Sequence, residues 1–233
     1  MKFLSISSLF IFVLVTFNFV SAQQLPQNIS STCQQEILKL AGSSDLNSCA
    51  SFTKLAQLQN TTNPQQALDT YCAAPKCSDN TTSADATELK TQCATDLSVN
   101  DPNVIAIKQI FVFNSPIKDA LCFKSSSGGY CYLDPNSNSI MGYISGLNAT
   151  TPTDINCTDC NKAILNIFYN YIKANPASAS DLTIDPTSFQ TLVTSKCNSS
   201  FLDGAVPTPT SSSSPTAKSG SISMHATSFI GFT

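Results

Sequence analysis

Ten cysteines, Cys33, Cys49, Cys72, Cys77, Cys93, Cys122, Cys131, Cys157, Cys160 and Cys197, constrain this chain more than any other feature. All follow a secretory leader. Met1-Lys2 opens it, Phe3 to Val20 forms a polar-spotted apolar run, and Val20-Ser21-Ala22 supplies small residues for cleavage. Residues 1–22 therefore read as a signal peptide. An even number of cysteines in an oxidising compartment implies five disulfides, and sequence alone cannot choose among the roughly 900 pairings open to them. Each bridge adds about 2–4 kcal/mol, chiefly by constraining the unfolded chain.

The last cysteine also marks where folding ends. From Ala205 the chain becomes Val-Pro-Thr-Pro-Thr-Ser-Ser-Ser-Ser-Pro-Thr, which has nothing to bury and reads as an extended, O-glycosylated stalk over 205–221. The tail, 222–233, is short and diluted by polar residues. It reads either as a degenerate GPI signal, with Ser219, Gly220 and Ser221 as cleavage candidates, or as a free tail. Residues 23–204 remain as one Cys-rich domain. Six N-x-[ST] sequons, at Asn28, Asn60, Asn80, Asn148, Asn156 and Asn198, fit an extracellular glycoprotein. Asn156 and Asn198 abut Cys157 and Cys197, where bridge formation competes with glycosylation.

The patterning of the domain is helical. Thr32 and Gln35 make a capping box ahead of Ile37, Leu38, Leu40 and Ala41, and Gly42 stops that helix. Leu46, Cys49, Phe52, Leu55 and Leu58 recur at three-residue steps on one helical face. Asn63-Pro64, Asp101-Pro102, Ser115-Pro116 and Asp185-Pro186 each set a capping side chain before a proline at the first helical position. The longest helix is expected to start at Cys157–Cys160 and end at Pro176. Only 124–135, with Gly128-Gly129 beside Tyr130 and Tyr132, reads as a short hairpin or ordered loop. The expectation is an all-α, disulfide-braced domain of about seven short helices.

The same residues narrow the chemistry. Twelve basic residues stand against fifteen acidic ones, a net charge of -3 that leaves no phosphate-neutralising surface and argues against nucleic-acid binding. The single histidine, His225, lies beyond the stalk, so the domain lacks Ser-His and Cys-His nucleophile systems. All twelve basic residues are lysines, so bidentate arginine clamps are missing too. Glu36 and Glu88 read as solvated helix faces. Cys157-x-x-Cys160 reads as two structural cysteines bridging elsewhere, because no βαβ pattern surrounds it and no second C-x-x-C exists to complete a zinc site. Ser51-x-x-Lys54 and Ser78-Asp79-Asn80 match pieces of the penicillin-recognising serine enzymes, but the third piece is missing and the match reads as chance. No enzyme, metal or cofactor is expected.

Two resemblances extend this reading. Cys93-Ala-Thr-Asp96-Leu97, Asn103-Val104, Ala120-Leu121-Cys122-Phe123-Lys124, Tyr130-Cys131, Cys157-x-x-Cys160, Lys196-Cys197 and Phe201-Leu202-Asp203-Gly204, in that order, resemble an uncharacterised family of secreted fungal proteins. That resemblance covers Cys33 to Gly204. It implies a cell-surface or cell-wall protein, often GPI-anchored, with wall components as partners and no known activity. Separately, Cys72-x4-Cys77-x15-Cys93, followed by Cys122, is similar to the third to sixth cysteines of the elicitins, sterol-binding all-α proteins. Cys33 and Cys49 stand for the first two, at a shorter gap than theirs. The elicitin resemblance implies the pairs Cys33–Cys93, Cys49–Cys77 and Cys72–Cys122. It also implies an apolar cavity for a small lipid, for which Ile107, Phe111, Phe113, Phe168 and Tyr171 are the candidate lining; as plain helical stripes they read first as core.

Overall fold

A computed structural model describes residues 28–58, 62–137, 155–181 and 186–207. The signal segment 1–22, the tail, the stalk beyond Pro207, and the sequons Asn60 and Asn148 lie outside these residues. Ten α-helices run through the described residues: α1 Ser31–Ala41, α2 Ser44–Ser48, α3 Phe52–Gln57, α4 Pro64–Ala73, α5 Asp79–Gln92, α6 Ala94–Ser98, α7 Pro102–Val112, α8 Asn114–Cys122, α9 Asp159–Ala174 and α10 Pro186–Lys196. Short 3-10 turns cover Cys131–Leu133 and Pro176–Asp181. No β-strand occurs among the described residues. The expected loop at 124–135 is a hairpin closed by one antiparallel bridge, Lys124 to Tyr130, with Gly128 at φ 85° in its turn.

Helices outnumber the expectation because long apolar stripes are cut at bridged or buried positions. The Leu46–Leu58 stripe becomes α2 and α3. Cys49 between them is extended, bridged to Cys77, and the next residue, Ala50, donates its N–H to Pro75 O at 2.8 Å. Cys93, bridged to Cys33, separates α5 from α6, and buried Phe113 separates α7 from α8. Tertiary ties also move one cap. Ser30, not Thr32, caps α1, its hydroxyl accepting from Cys33 N at 3.3 Å. Ser30 is fixed there because its N–H and hydroxyl both donate to the buried Asp96 carboxylate, at 2.7 and 2.6 Å. Asn63 and Asp101 cap α4 and α7 ahead of proline as expected. Ser115 caps nothing: α8 begins at Asn114, and Pro116 is its third residue. Asp185 lies outside the described residues, though α10 does start at Pro186.

Two bridged sets organise the helices. Cys33–Cys93, Cys49–Cys77 and Cys72–Cys122 tie α1 through α8 together. Cys131–Cys160 and Cys157–Cys197 tie the hairpin end, α9 and α10. All ten cysteines are paired, and no bridge joins the first set to the second. The core runs across both, with α5 packed on α1 and α7, and α8 packed between α4 and α9. Cys72 and Cys77, close in sequence, do not pair with each other.

Lys118 sits at the centre of the first set. Only 7% exposed, its ammonium donates to the carbonyls of Tyr71, Cys72 and Ala74 at 3.2, 3.1 and 2.6 Å, and lies 5.4 Å from the Tyr71 ring. These carbonyls end α4, where helix donors run out and only Tyr71 O also accepts the Ala74 N–H, at 3.3 Å. Burial lowers the Lys118 pKa, which Asp119 partly offsets. Lys118→Met retains the stem but removes the ammonium from all three carbonyls, leaving those of Cys72 and Ala74 without the donor it supplied. A loss of about 2–4 kcal/mol is expected, read as a lower urea midpoint at unchanged m in the oxidised protein. An unchanged midpoint contradicts this role.

Candidate functional site

Of the apolar residues proposed from sequence, Phe113, Phe168 and Tyr171 come together, and all five belong to the same core. Ile107, Phe111 and Phe113 are buried, as is Phe168 on α9, while Tyr171 packs against them half-buried. Phe113 is the hub: its ring centroid lies 6.3 Å from Phe168 and 6.0 Å, edge-on, from Tyr171. The Tyr171 hydroxyl donates to Val112 O at 2.8 Å, spending the polar handle of that ring on the end of α7. This cluster is one contact between the two bridged sets. Its chemistry is purely apolar, suited to packing or to a hydrocarbon ligand and offering nothing for catalysis.

The polar residues weighed as catalytic groups are occupied structurally. Lys54 donates to the carbonyls of Asn47 and Cys49, the second at 2.8 Å. The Ser51 hydroxyl pairs with Thr53 at 2.8 Å, and Ser78 is the N-cap of α5. Cys157 and Cys160 bridge away from each other, as the sequence indicated. Glu36 corrects its reading as a solvated carboxylate: at 6% exposed it lies buried on α1, 3.4 Å from Lys39, which also pairs with the more exposed Glu88 of α5. Asp85 adjoins this seam, and its pKa is raised, first by burial and then by Glu88 and Glu36. Among the described residues no group of three or more His, Cys, Asp or Glu side chains is placed to hold a metal ion.

A second arrangement, unexpected from sequence, closes the domain before the stalk. Lys162, Asn166 and Asn170 recur every four residues along α9 and grip residues 200–204. Lys162 donates to Ser200 O and to the Asp203 carboxylate, both at 3.0 Å. Asn166 donates to Phe201 O at 2.9 Å and accepts from Gly204 N at 2.6 Å. Asn170 donates to Gly204 O at 2.8 Å. Gly204 is required here, since φ is 86° and a Cβ would lie 3.0 Å from Asn170 Oδ1. Phe201 and Leu202 are buried. The only advance signal was the run Phe201-Leu202-Asp203-Gly204; the i, i+4, i+8 spacing of its partners carried no hydrophobic signature.

The sequons flank these features. Asn28, Asn80, Asn156 and Asn198 are all exposed. Asn80 lies in the first turn of α5, whereas Asn156 and Asn198 border the two ends of the Cys157–Cys197 bridge. No helix among the described residues is long and apolar enough to cross a membrane.

A family model described as a domain of unknown function, DUF7729, matches residues 17–206, ending just past the α9 clasp. The chain belongs to the DUF7729 family. No curated protein and no solved structure matches it. This DUF7729 domain contains the three pairs that the elicitin resemblance implies, Cys33–Cys93, Cys49–Cys77 and Cys72–Cys122.

The clasp makes a pH prediction. The Ala205 N–H, followed by the Lys162 ammonium, holds the Asp203 carboxyl below its usual 3.8. A carboxylate depressed in the folded state contributes above its unfolded value, and that contribution is lost as pH falls through the folded value. The Ala205 amide shift is therefore expected to titrate with a midpoint below 3.8, and this step is expected to vanish in Asp203→Asn. A midpoint at or above 3.8 contradicts the clasp.

Proposed function

We propose that this protein is a non-enzymatic, secreted glycoprotein of the fungal cell surface or wall, which presents its DUF7729 domain on a Ser/Thr/Pro stalk. The carrying observation is the clasp on α9. The domain ends in a buried, hydrogen-bonded segment, 200–204, directly before the stalk composition begins. Such an end suits a domain held away from its attachment point. Four exposed sequons on a domain with few charged side chains support a surface carried largely by sugar. The side chains that looked catalytic cap carbonyls and helices, which agrees with a role in wall organisation or recognition. A GPI anchor is the attachment in this reading. Fractionation tests it: the full-length protein is expected with the cell surface, released by phosphatidylinositol-specific phospholipase or wall digestion. Recovery only as free protein in the medium overturns the surface assignment.

The bridge pattern favours one alternative, an extracellular carrier of a sterol or similar lipid, with Ile107, Phe111, Phe113, Phe168 and Tyr171 as its lining. Four of those side chains are buried in the core and Phe113 packs on Phe168 and Tyr171, so a ligand must displace core packing to enter. Titration of the oxidised protein with a fluorescent ergosterol analogue separates the readings. A carrier binds one equivalent saturably and weakens in Phe113→Leu. A folded protein that does not bind leaves the surface role alone.

A further inference from the structure

The Cys157–Cys197 bridge joins the two sequons nearest the clasp, and the Asn156 sequon contains one of its cysteines. In the folded chain all three residues of Asn156-Cys157-Thr158 are engaged. The Asn156 carbonyl accepts from Asn161 Nδ2 at 2.7 Å, and Asn161 is fully buried. Cys157 is bonded to Cys197. The Thr158 hydroxyl, which marks the residue as a glycosylation acceptor, accepts from Asn161 N at 3.2 Å as the N-cap of α9. The Asn156 side chain nevertheless faces solvent, and Cys157 is itself exposed. An acceptor of this kind has room for sugar once folded, but its hydroxyl is held as a helix cap and its backbone is tied to Asn161, so neither is free for a transferase to engage.

We propose that Asn156 is an N-glycosylation site gated by its own disulfide, open while Cys157 is a thiol and shut when the bridge to Cys197 forms. The inference rests on the secretory reading above. Two reactions use the same short segment. In transfer, Asn156 Nδ2 attacks the anomeric carbon of a lipid-diphosphate oligosaccharide. The C–N bond forms, the C–O bond to diphosphate breaks, the lipid diphosphate leaves, and the amide proton passes to a base of the transferase. In closure, the thiols of Cys157 and Cys197 exchange with a donor protein disulfide. They lose two electrons and two protons, and the donor is reduced to its dithiol. The reactions share no bond, so their competition is conformational: closure pins the backbone and lets Asn161 bind both Asn156 O and the Thr158 hydroxyl.

Asn28 supplies the comparison. The hydroxyl of its sequon, on Ser30, is held by Asp96, 66 residues further along, through hydrogen bonds alone. That contact can reopen, whereas the Asn156 segment is closed covalently. The wild-type protein is therefore a mixture of glycoforms differing at Asn156.

The test is site-by-site occupancy, by glycopeptide mass spectrometry, of the full-length protein expressed in a eukaryotic secretory host. Cys197→Ser leaves the Asn156 and Asn198 sequons intact. It is expected to at least double occupancy at Asn156 while Asn28 stays unchanged. A brief dithiothreitol pulse during synthesis of the wild-type protein provides a second route that needs no variant to fold, and is expected to shift Asn156 in the same direction. Full occupancy of Asn156 in the wild type, or the same occupancy under all three conditions while Asn28 carries sugar, overturns the gate. No sugar at any sequon instead overturns the secretory reading on which the gate depends.

Discussion

Phe113 packs across two parts of one chain that no disulfide joins. No disulfide crosses from the set within 33–122 to the set within 131–197, so noncovalent packing keeps α9 on the rest of the domain. Phe113 against Phe168 and Tyr171, with the Tyr171 hydroxyl on Val112 O, forms the heart of that packing. A second contact stands beside it, where the Tyr130 hydroxyl donates to Asp69 of α4 at 2.8 Å and burial pushes the phenol up to about 12. Lys124 covers the same ring, 4.4 Å from its centroid. Each set is restrained by its own bridges, whereas the relation between them rests on the shared core, in which the aromatic cluster takes part.

The parts of this fold that were legible in sequence are those encoded by local chemistry. Proline after Asn63 and Asp101, the apolar stripe of α9 and the glycine turn at 128 specify their structures within a few residues. The misreadings have one cause. Where a stripe such as Leu46 to Leu58 is interrupted by a cysteine, periodicity cannot tell whether the helix passes through, because the bridge partner lies far along the chain. The cap at Ser30 was missed for the same reason, since its anchor is Asp96. Glu36 looked solvated because burial of a charged side chain is a tertiary fact. The clasp was illegible because asparagine is read as a turn former, yet Asn166 and Asn170 stand within a helix and bond to chain some 35 residues away.

The absence of arginine ties these observations together. A lysine ammonium is a compact point with three donors, able to meet several carbonyls converging from different directions, whereas a planar guanidinium suits a flat, bidentate partner. Lys54 and Lys118 are used in that way, each beside a bridge, whereas Lys162 meets one carbonyl and one carboxylate. Lys54 binds the carbonyls around Cys49, Lys118 binds those around Cys72, and Lys162 binds Ser200 O just past Cys197. A disulfide fixes a pair of Cα atoms 4.5 to 5.5 Å apart here. Where the chain leaves a helix beside a bridge, as at Cys49 and at the end of α4 after Cys72, carbonyls are left that an ammonium binds. These lysines thus support the disulfide framework, while Lys39, Lys76 and Lys124 stay at the surface, each beside a carboxylate.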